Sequence, residues 1–179
     1  MLKLYVLGPP RVEFNDVALH IRRRKALALL VYLAVTGRTH SRDALATLFY
    51  PDRGQSRARA YFRRDLGALN TSLKGDWLAA DNETVGFSQN AEVWTDMALF
   101  RHTLAACNDL DKAHEDSLPN CIPLLITASE LYADHFLAGF SLPDCPDFDE
   151  WQFFETQNLR QELAEALRRL TAILIVQEQ

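Results

Sequence analysis

The most regular pattern of hydrophobic and polar positions in this chain lies in residues 56–75. Apolar residues recur there at steps of three and four, which places them on one face of a helix: Ala58, Phe62, Leu66, Leu69 and Leu73. At about 100° per residue, the opposite face collects cationic, polar and small residues: Ser56, Arg57, Ala60, Arg63, Arg64, Gly67, Thr71 and Lys74. The pattern therefore predicts a helix with a core-facing side and a cationic outer side. A freely solvated basic face is the alternative interpretation of the same pattern.

Short alternating runs come before this helix and predict three strands, over residues 2–6, 11–14 and 17–21. Asn15-Asp16 predicts a tight hairpin turn between the last two. An almost wholly apolar helix is expected over residues 23–36, with Gly37 ending it. A short helix through Phe49 follows, capped by Thr39 or Ser41.

A β-hairpin is expected after the basic helix, because residues 77–79 and 85–87 flank the polar turn 81–83. The first half thus contains three strands, three helices and a hairpin, and its third helix is basic. That is the element order of a winged helix-turn-helix, in which the third helix enters the major groove of DNA.

The second half is predicted to be helical. Helices are expected over residues 96–107 and 121–136, with a polar loop at 108–120 between them, and a long helix should begin near Asp147. The pattern alone predicts only a small helical bundle, since no clear internal repeat is visible. The last turns carry an apolar stripe that a second copy or a further helix would cover: Leu163, Leu167, Leu170, Ile173 and Leu174.

Four cations crowd the start of the first helix: Arg22, Arg23, Arg24 and Lys25. The helix dipole is positive at that end, so each exposed cation is unfavourable there by about 0.3 to 1 kcal/mol. A docked anion would offset this cost, and a DNA phosphate is the candidate. A run of freely solvated charges is the alternative.

The charges divide the chain. Residues 1–90 carry 14 Lys+Arg and 8 Asp+Glu, a net of +6, whereas residues 91–179 carry 5 and 16, a net of −11; together they give the net charge of −5. This asymmetry favours a half that faces nucleic acid joined to a half that avoids it. No apolar run reaches the length of a membrane span, and three cysteines without metal-ligand spacing are expected to be reduced thiols of a cytoplasmic protein.

The sequence offers little for catalysis or cofactor binding. Neither a P-loop nor a G-x-G-x-x-G fingerprint occurs, and the five histidines are scattered without metal-ligand spacing. Asp134-His135 and Cys145 are considered as a hydrolytic pair. They lack a nucleophile elbow, so surface residues at a helix end are the favoured interpretation. We expect no enzyme activity, no cofactor and no metal site.

The chain resembles the SARP-type bacterial transcriptional activators. The matching segments are LYVLG at 4–8, RRRKALALLVYLA at 22–34, SRDALATLFYPD at 41–52, ARAYFRRDLGAL at 58–69, ASELYADHFLAGF at 128–140 and FDEW at 148–151. Three positions differ from the family pattern: Tyr50 stands where Trp is common, Tyr61 replaces Asn and Asn70 replaces Arg. The resemblance implies an α+β winged helix-turn-helix at 1–92 followed by an all-α, TPR-like bacterial transcriptional activator domain at 93–179.

A DNA-binding activator is the function that the resemblance implies. Its partners would be promoter DNA with direct repeats and RNA polymerase, and its location the cytoplasm. The helical domain would serve dimerisation, regulation or polymerase contact. From the cationic faces we expect DNA contacts by Arg57, Arg63, Arg64, Thr71 and Lys74, and by the Arg22–Lys25 cluster. The alternative is a TPR-like adaptor that binds a protein and does not itself bind DNA.

Overall fold

The computed structural model describes residues 1–113 and 118–177. The strands are β1 (Leu2–Tyr5), β2 (Arg11–Phe14), β3 (Val17–Ala18), β4 (His40–Ser41), β5 (Leu78–Ala80), β6 (Thr84–Phe87) and β7 (Val93–Thr95). The helices are α1 (Arg24–Thr36), α2 (Arg42–Phe49), α3 (Gln55–Leu73), α4 (Asp96–Ala113), α5 (Leu118–Leu131) and α6 (Pro146–Gln177). The protein is a mixed α/β structure in which helix predominates.

The strands form two small sheets. One has the order β3-β2-β1-β7 and the other β4-β6-β5. The predicted turn between β2 and β3 is confirmed, since Asn15 and Asp16 both have positive φ, as a tight hairpin turn requires. Two strands were not predicted: β4, which pairs with β6, and β7, which lies parallel to β1. Sequence pattern missed both because they have two and three residues and are recognised only by their pairing.

Helices α1 to α3 follow the predicted pattern closely. Gly37 ends α1 in the left-handed conformation at φ 61°, and the Ser41 hydroxyl caps α2 by accepting from the Asp43 backbone N–H at 3.2 Å. The predicted core face of α3 is confirmed, because Ala58, Phe62, Leu66, Leu69 and Leu73 are all buried. The hairpin is also confirmed as β5 and β6.

Two predictions for the second half are wrong. Helix α4 continues to Ala113 and α5 begins at Leu118, where a loop over 108–120 was expected; residues 114–117 lie outside the described residues. Amphipathic packing overrides the polar composition, since Leu110 packs against the cluster around Cys107 and Cys121.

The other error concerns the end of α5, predicted at Phe136 and found at Leu131. Beyond that residue the backbone N–H groups bond to the β1–β2 segment instead of continuing the helix: Asp134 to the Leu7 carbonyl, Leu137 to that of Val6 and Ala138 to that of Gly8. Leu137 takes a positive φ of 52° in this turn.

Helix α6 begins and ends near its predicted limits, but its buried face differs in part. Leu159, Ala166 and Ile173 are buried. Of the apolar stripe expected to lack a covering element, Leu167 and Leu174 are each 43% exposed, whereas Ile173 is only 7% exposed. One hydrophobic cluster joins both halves of the chain: Tyr32 of α1 contacts Trp151 at 4.8 Å between ring centroids, and Phe49 of α2 contacts Phe148 at 5.7 Å. None of the helices in the described residues is long and apolar enough to cross a membrane.

Candidate nucleic-acid interface

The outer face of α3 presents the cations that its sequence pattern predicts. Arg57, Arg63, Arg64, Thr71 and Lys74 are all exposed, while the opposite face is buried. The helix begins after Gly54 and ends at Leu73. The next residue, Lys74, caps it in the left-handed conformation at φ 52°. The Thr71 hydroxyl donates to the Gly67 carbonyl at 2.9 Å, which leaves its oxygen open as an acceptor.

None of these four cations has a carboxylate partner in the described part of the chain. Among the described residues, Arg57, Arg63 and Lys74 form no ion pair, and the Arg64 guanidinium lies over the Tyr61 ring, 5.0 Å from its centroid. A cation over an aromatic face keeps its charge. The face therefore carries uncompensated positive charge on a rigid helix of 19 residues.

Arg59 of the same helix, unlike these cations, is paired with a carboxylate. Its guanidinium forms a two-pronged ion pair with Asp43 of α2, and this pairing lowers the pKa of the Asp43 carboxyl. Arg42 of α2 donates to the Asp81 carbonyl at the hairpin tip, at 2.6 Å. These two arginines fix α3 and the β5–β6 hairpin against α2. The cleft between them, of about 500 Å³, has Arg63 on its lining.

Three of the four cations at the start of α1, Arg23, Arg24 and Lys25, bind polar groups of the protein. Arg22 is exposed, and Arg23 forms an ion pair with the buried Asp65 at 3.1 Å. Arg24 instead donates to the Ser141 carbonyl at 2.7 Å, and Lys25 donates to the Phe49 carbonyl at 2.6 Å and to Asp144 at 2.7 Å. Arg24 and Lys25 thus attach α1 to the turn before α6, a role that the sequence did not indicate. Their predicted phosphate contacts stay a prediction.

Asp65 is the buried acid beneath this region, 5% exposed on the inner side of α3. It accepts from Arg23 and from the Tyr50 hydroxyl. Burial raises the pKa of Tyr50, and the hydrogen bond to Asp65 raises it further, so this phenol stays neutral and donates. Asp65 therefore holds the start of α1 and the end of α2 against α3.

Arg53 and the contact between Tyr50 and Tyr61 were not predicted from the sequence. The two tyrosines stack with ring centroids 5.5 Å apart, and Arg53 lies over Tyr61 at 5.9 Å. Tyr50 and Tyr61 are two of the three positions that differ from the pattern of the family that the chain resembles. This difference is the sequence feature that could have pointed to them. Their proximity was not predictable, because one follows α2 and the other lies within α3.

The described residues give little support for a metal site or for hydrolytic catalysis. They contain no group of three or more His, Cys, Asp or Glu side chains placed to hold a metal ion. All three cysteines are buried free thiols. The Cys145 thiol donates to the Phe49 carbonyl at 3.2 Å, whereas Asp134 and His135 form an exposed pair at the turn after α5.

Comparison with known proteins gives a likeness in fold. No protein-family model matches the sequence, and no curated protein matches it significantly. Among solved structures, Mycobacterium tuberculosis EmbR in complex with a low-affinity phosphopeptide matches with a TM-score of 0.72 and 21% identity over 99% of this chain. The two folds are alike. The chain spans 49% of the EmbR chain, so about half of that protein has no counterpart in it.

Proposed function

We propose that this chain is a DNA-binding transcriptional regulator of the SARP type. The single observation that carries the proposal is α3, which buries its apolar face and exposes Arg57, Arg63, Arg64, Thr71 and Lys74 along the other. Forked guanidinium donors match guanine edges and phosphates. The fold likeness to EmbR, a SARP-family regulator, supports the general role.

In this proposal residues 1–92 act as a winged helix-turn-helix and α3 enters the major groove. Arg63 and Arg64 are the base-reading candidates, Thr71 and Lys74 lie near the backbone, and Arg22 and Arg23 extend the basic surface at the start of α1. The hairpin tip, whose residues 81–83 carry no cation, adds no strong contact in the minor groove.

Residues 93–179 act in this proposal as a TPR-like domain that contacts RNA polymerase or a second copy of the chain. Activation at promoters with direct repeats follows from the family resemblance. A second candidate function, a protein-binding adaptor without DNA binding, is favoured by one observation. Phe153 and Phe154 are adjacent on α6 and are 57% and 55% exposed, which is typical of a surface that contacts another protein.

A mobility-shift assay with a random-sequence duplex at low salt separates the two functions. The regulator should bind the random duplex, and Arg63→Gln should weaken that binding by removing a cation. On a sequence that the chain prefers, Arg63→Gln should weaken binding by about tenfold, in line with about 1 to 3 kcal/mol for an Arg that reads a base. A variant that removes only a phosphate contact should weaken all sequences alike and reduce the salt slope by about one unit.

Arg11→Gln is the matched control, because Arg11 is an exposed cation of the same half that lies on β2. If Arg57→Gln and Arg63→Gln change affinity no more than Arg11→Gln does, the α3 face is not the interface. Absence of duplex binding by the unaltered chain would favour the adaptor.

A further inference from the structure

A second cleft lies where α1, the turn between α2 and α3, α3 itself and the turn before α6 meet; we call it the junction cleft. Its volume is about 460 Å³, within the range of about 300 to 1,000 Å³ that is typical of small-molecule sites. Five cations line it: Arg23, Arg24, Lys25, Arg53 and Arg64. Two carboxylates of the described residues, Asp65 and Asp144, accompany them, so this described lining has an excess of three positive charges.

The carboxylates neutralise only part of this lining. Asp65 pairs with Arg23, and Asp144 pairs with Lys25. Within the described part of the chain, Arg53 and Arg64 have no carboxylate partner. Two like charges in one cleft repel each other unless an anion lies between them.

Aromatic rings hold both of these arginines in place. Arg53 and Arg64 lie over the ring of Tyr61, at 5.9 and 5.0 Å from its centroid, and Tyr50 stacks on Tyr61. The Lys25 ammonium lies 4.2 Å from the Tyr50 centroid. The stacked pair is therefore a platform with cations on it, which positions the guanidinium groups before any ligand arrives.

The start of α1 adds to the positive potential of the cleft. No side chain caps this helix, and its first turn carries no acidic residue. The positive end of the dipole therefore has no internal anion to balance it. This potential adds to that of the unpaired Arg53 and Arg64.

We propose that the junction cleft binds a small phosphorylated compound, a phosphomonoester, through Arg53 and Arg64. Guanidinium forks bind phosphate oxygens in pairs, and a phosphomonoester carries close to two negative charges at neutral pH. The proposed function places Arg23 and Arg64 of this lining at the DNA surface, so a small ligand in the cleft and DNA would compete for them. One wall comes from the helical half, whose Asp144 and net charge of −11 would repel a long polyanion.

The test is isothermal titration calorimetry of the full chain at low salt, with inorganic phosphate and adenosine monophosphate as probes and adenosine as the control that lacks a phosphate. Both phosphate probes should bind saturably and adenosine should not. Arg53→Gln should weaken binding by about tenfold, because it removes a charge-assisted contact. Asp144→Asn should tighten it, because it removes a carboxylate that opposes the anion.

Arg38→Gln is the matched control, since Arg38 is an exposed cation of the basic half outside this cleft. Circular dichroism of each variant checks that the fold is intact. The proposal is overturned if the unaltered chain binds neither phosphate probe, or if Arg38→Gln weakens binding as much as Arg53→Gln. It is also overturned if Arg53→Gln leaves both phosphate titrations unchanged but weakens binding in the mobility-shift assay, because Arg53 would then belong to a DNA contact. The titration contains no DNA, so its outcome does not depend on whether α3 binds DNA.

Discussion

Single buried carboxylates join distant parts of this chain. Asp96, 5% exposed at the start of α4, accepts from the backbone N–H groups of Val6 and Leu7 at 2.8 to 3.0 Å and from that of Met97 at 2.8 Å. Burial raises the pKa of the Asp96 carboxyl, against the opposing effect of these hydrogen bonds. A raised pKa in the folded state means that the native protein holds this proton more tightly. The stability that this proton adds is therefore complete below the unfolded pKa and is lost as pH rises through the folded value; the backbone hydrogen bonds to the carboxyl oxygens contribute separately.

Asp96→Ala should lower the free energy of unfolding by about 3 kcal/mol, because it leaves buried N–H groups of the β1 end without an acceptor. Asp96→Asn keeps one acceptor oxygen and should cost roughly half as much. Urea denaturation with an unchanged m-value measures both. A loss below about 1 kcal/mol for the alanine variant would show that water or a rearranged backbone replaces the carboxylate.

At the scale of the element, α3 combines stability and the candidate function on opposite faces. Gly67 lies on its exposed face, and a Cβ added there would meet no atom within 4 Å outside the helix. A glycine inside a helix is less stable than alanine by about 0.5 to 1 kcal/mol. Packing within this chain therefore does not explain Gly67, whereas close approach to DNA under the proposed function would explain it.

Gly67→Ala should raise the free energy of unfolding by about 0.5 to 1 kcal/mol and weaken duplex binding, because the new methyl group separates α3 from DNA. Gly37→Ala is the matched control. Gly37 ends α1 at φ 61°, so the same substitution should destabilise the protein there by about 1 kcal/mol. Thermal unfolding and a mobility shift give the two readouts. Unchanged or tighter duplex binding by Gly67→Ala would argue against close contact at this face.

Across the whole molecule, the basic and acidic halves are packed together. The hydrophobic cluster contains residues of both, β7 adds to the sheet beside β1, and Lys25 connects α1 to Asp144. The contact fixes the direction in which α3 faces relative to the acidic half.

A fragment of residues 1–95 should unfold at a lower temperature and less cooperatively than the full chain. Cutting there removes Phe148 and Trp151 from Phe49 and Tyr32, and it removes Asp96 from the end of β1. Circular dichroism during heating measures this. A fragment with the melting temperature of the full chain would show that the two halves are independent domains.

The sequence by itself determined the features that depend on near neighbours along the chain. Periodicity predicted both faces of α3, and residue-specific backbone preferences predicted the Asn15-Asp16 turn and the end of α1 at Gly37. These features need only a few consecutive residues. The charges on the outer face of α3 were predictable for the same reason.

Only the tertiary structure decided the features whose partners lie far apart in the chain. Helix α5 ends at Leu131 because the next backbone donors find acceptors in residues 6–8, and Arg24 and Lys25 find theirs at Ser141 and Asp144. The junction cleft likewise brings together four separate segments. Local pattern carries no information about such pairings, because their energy depends on which distant groups folding brings into contact.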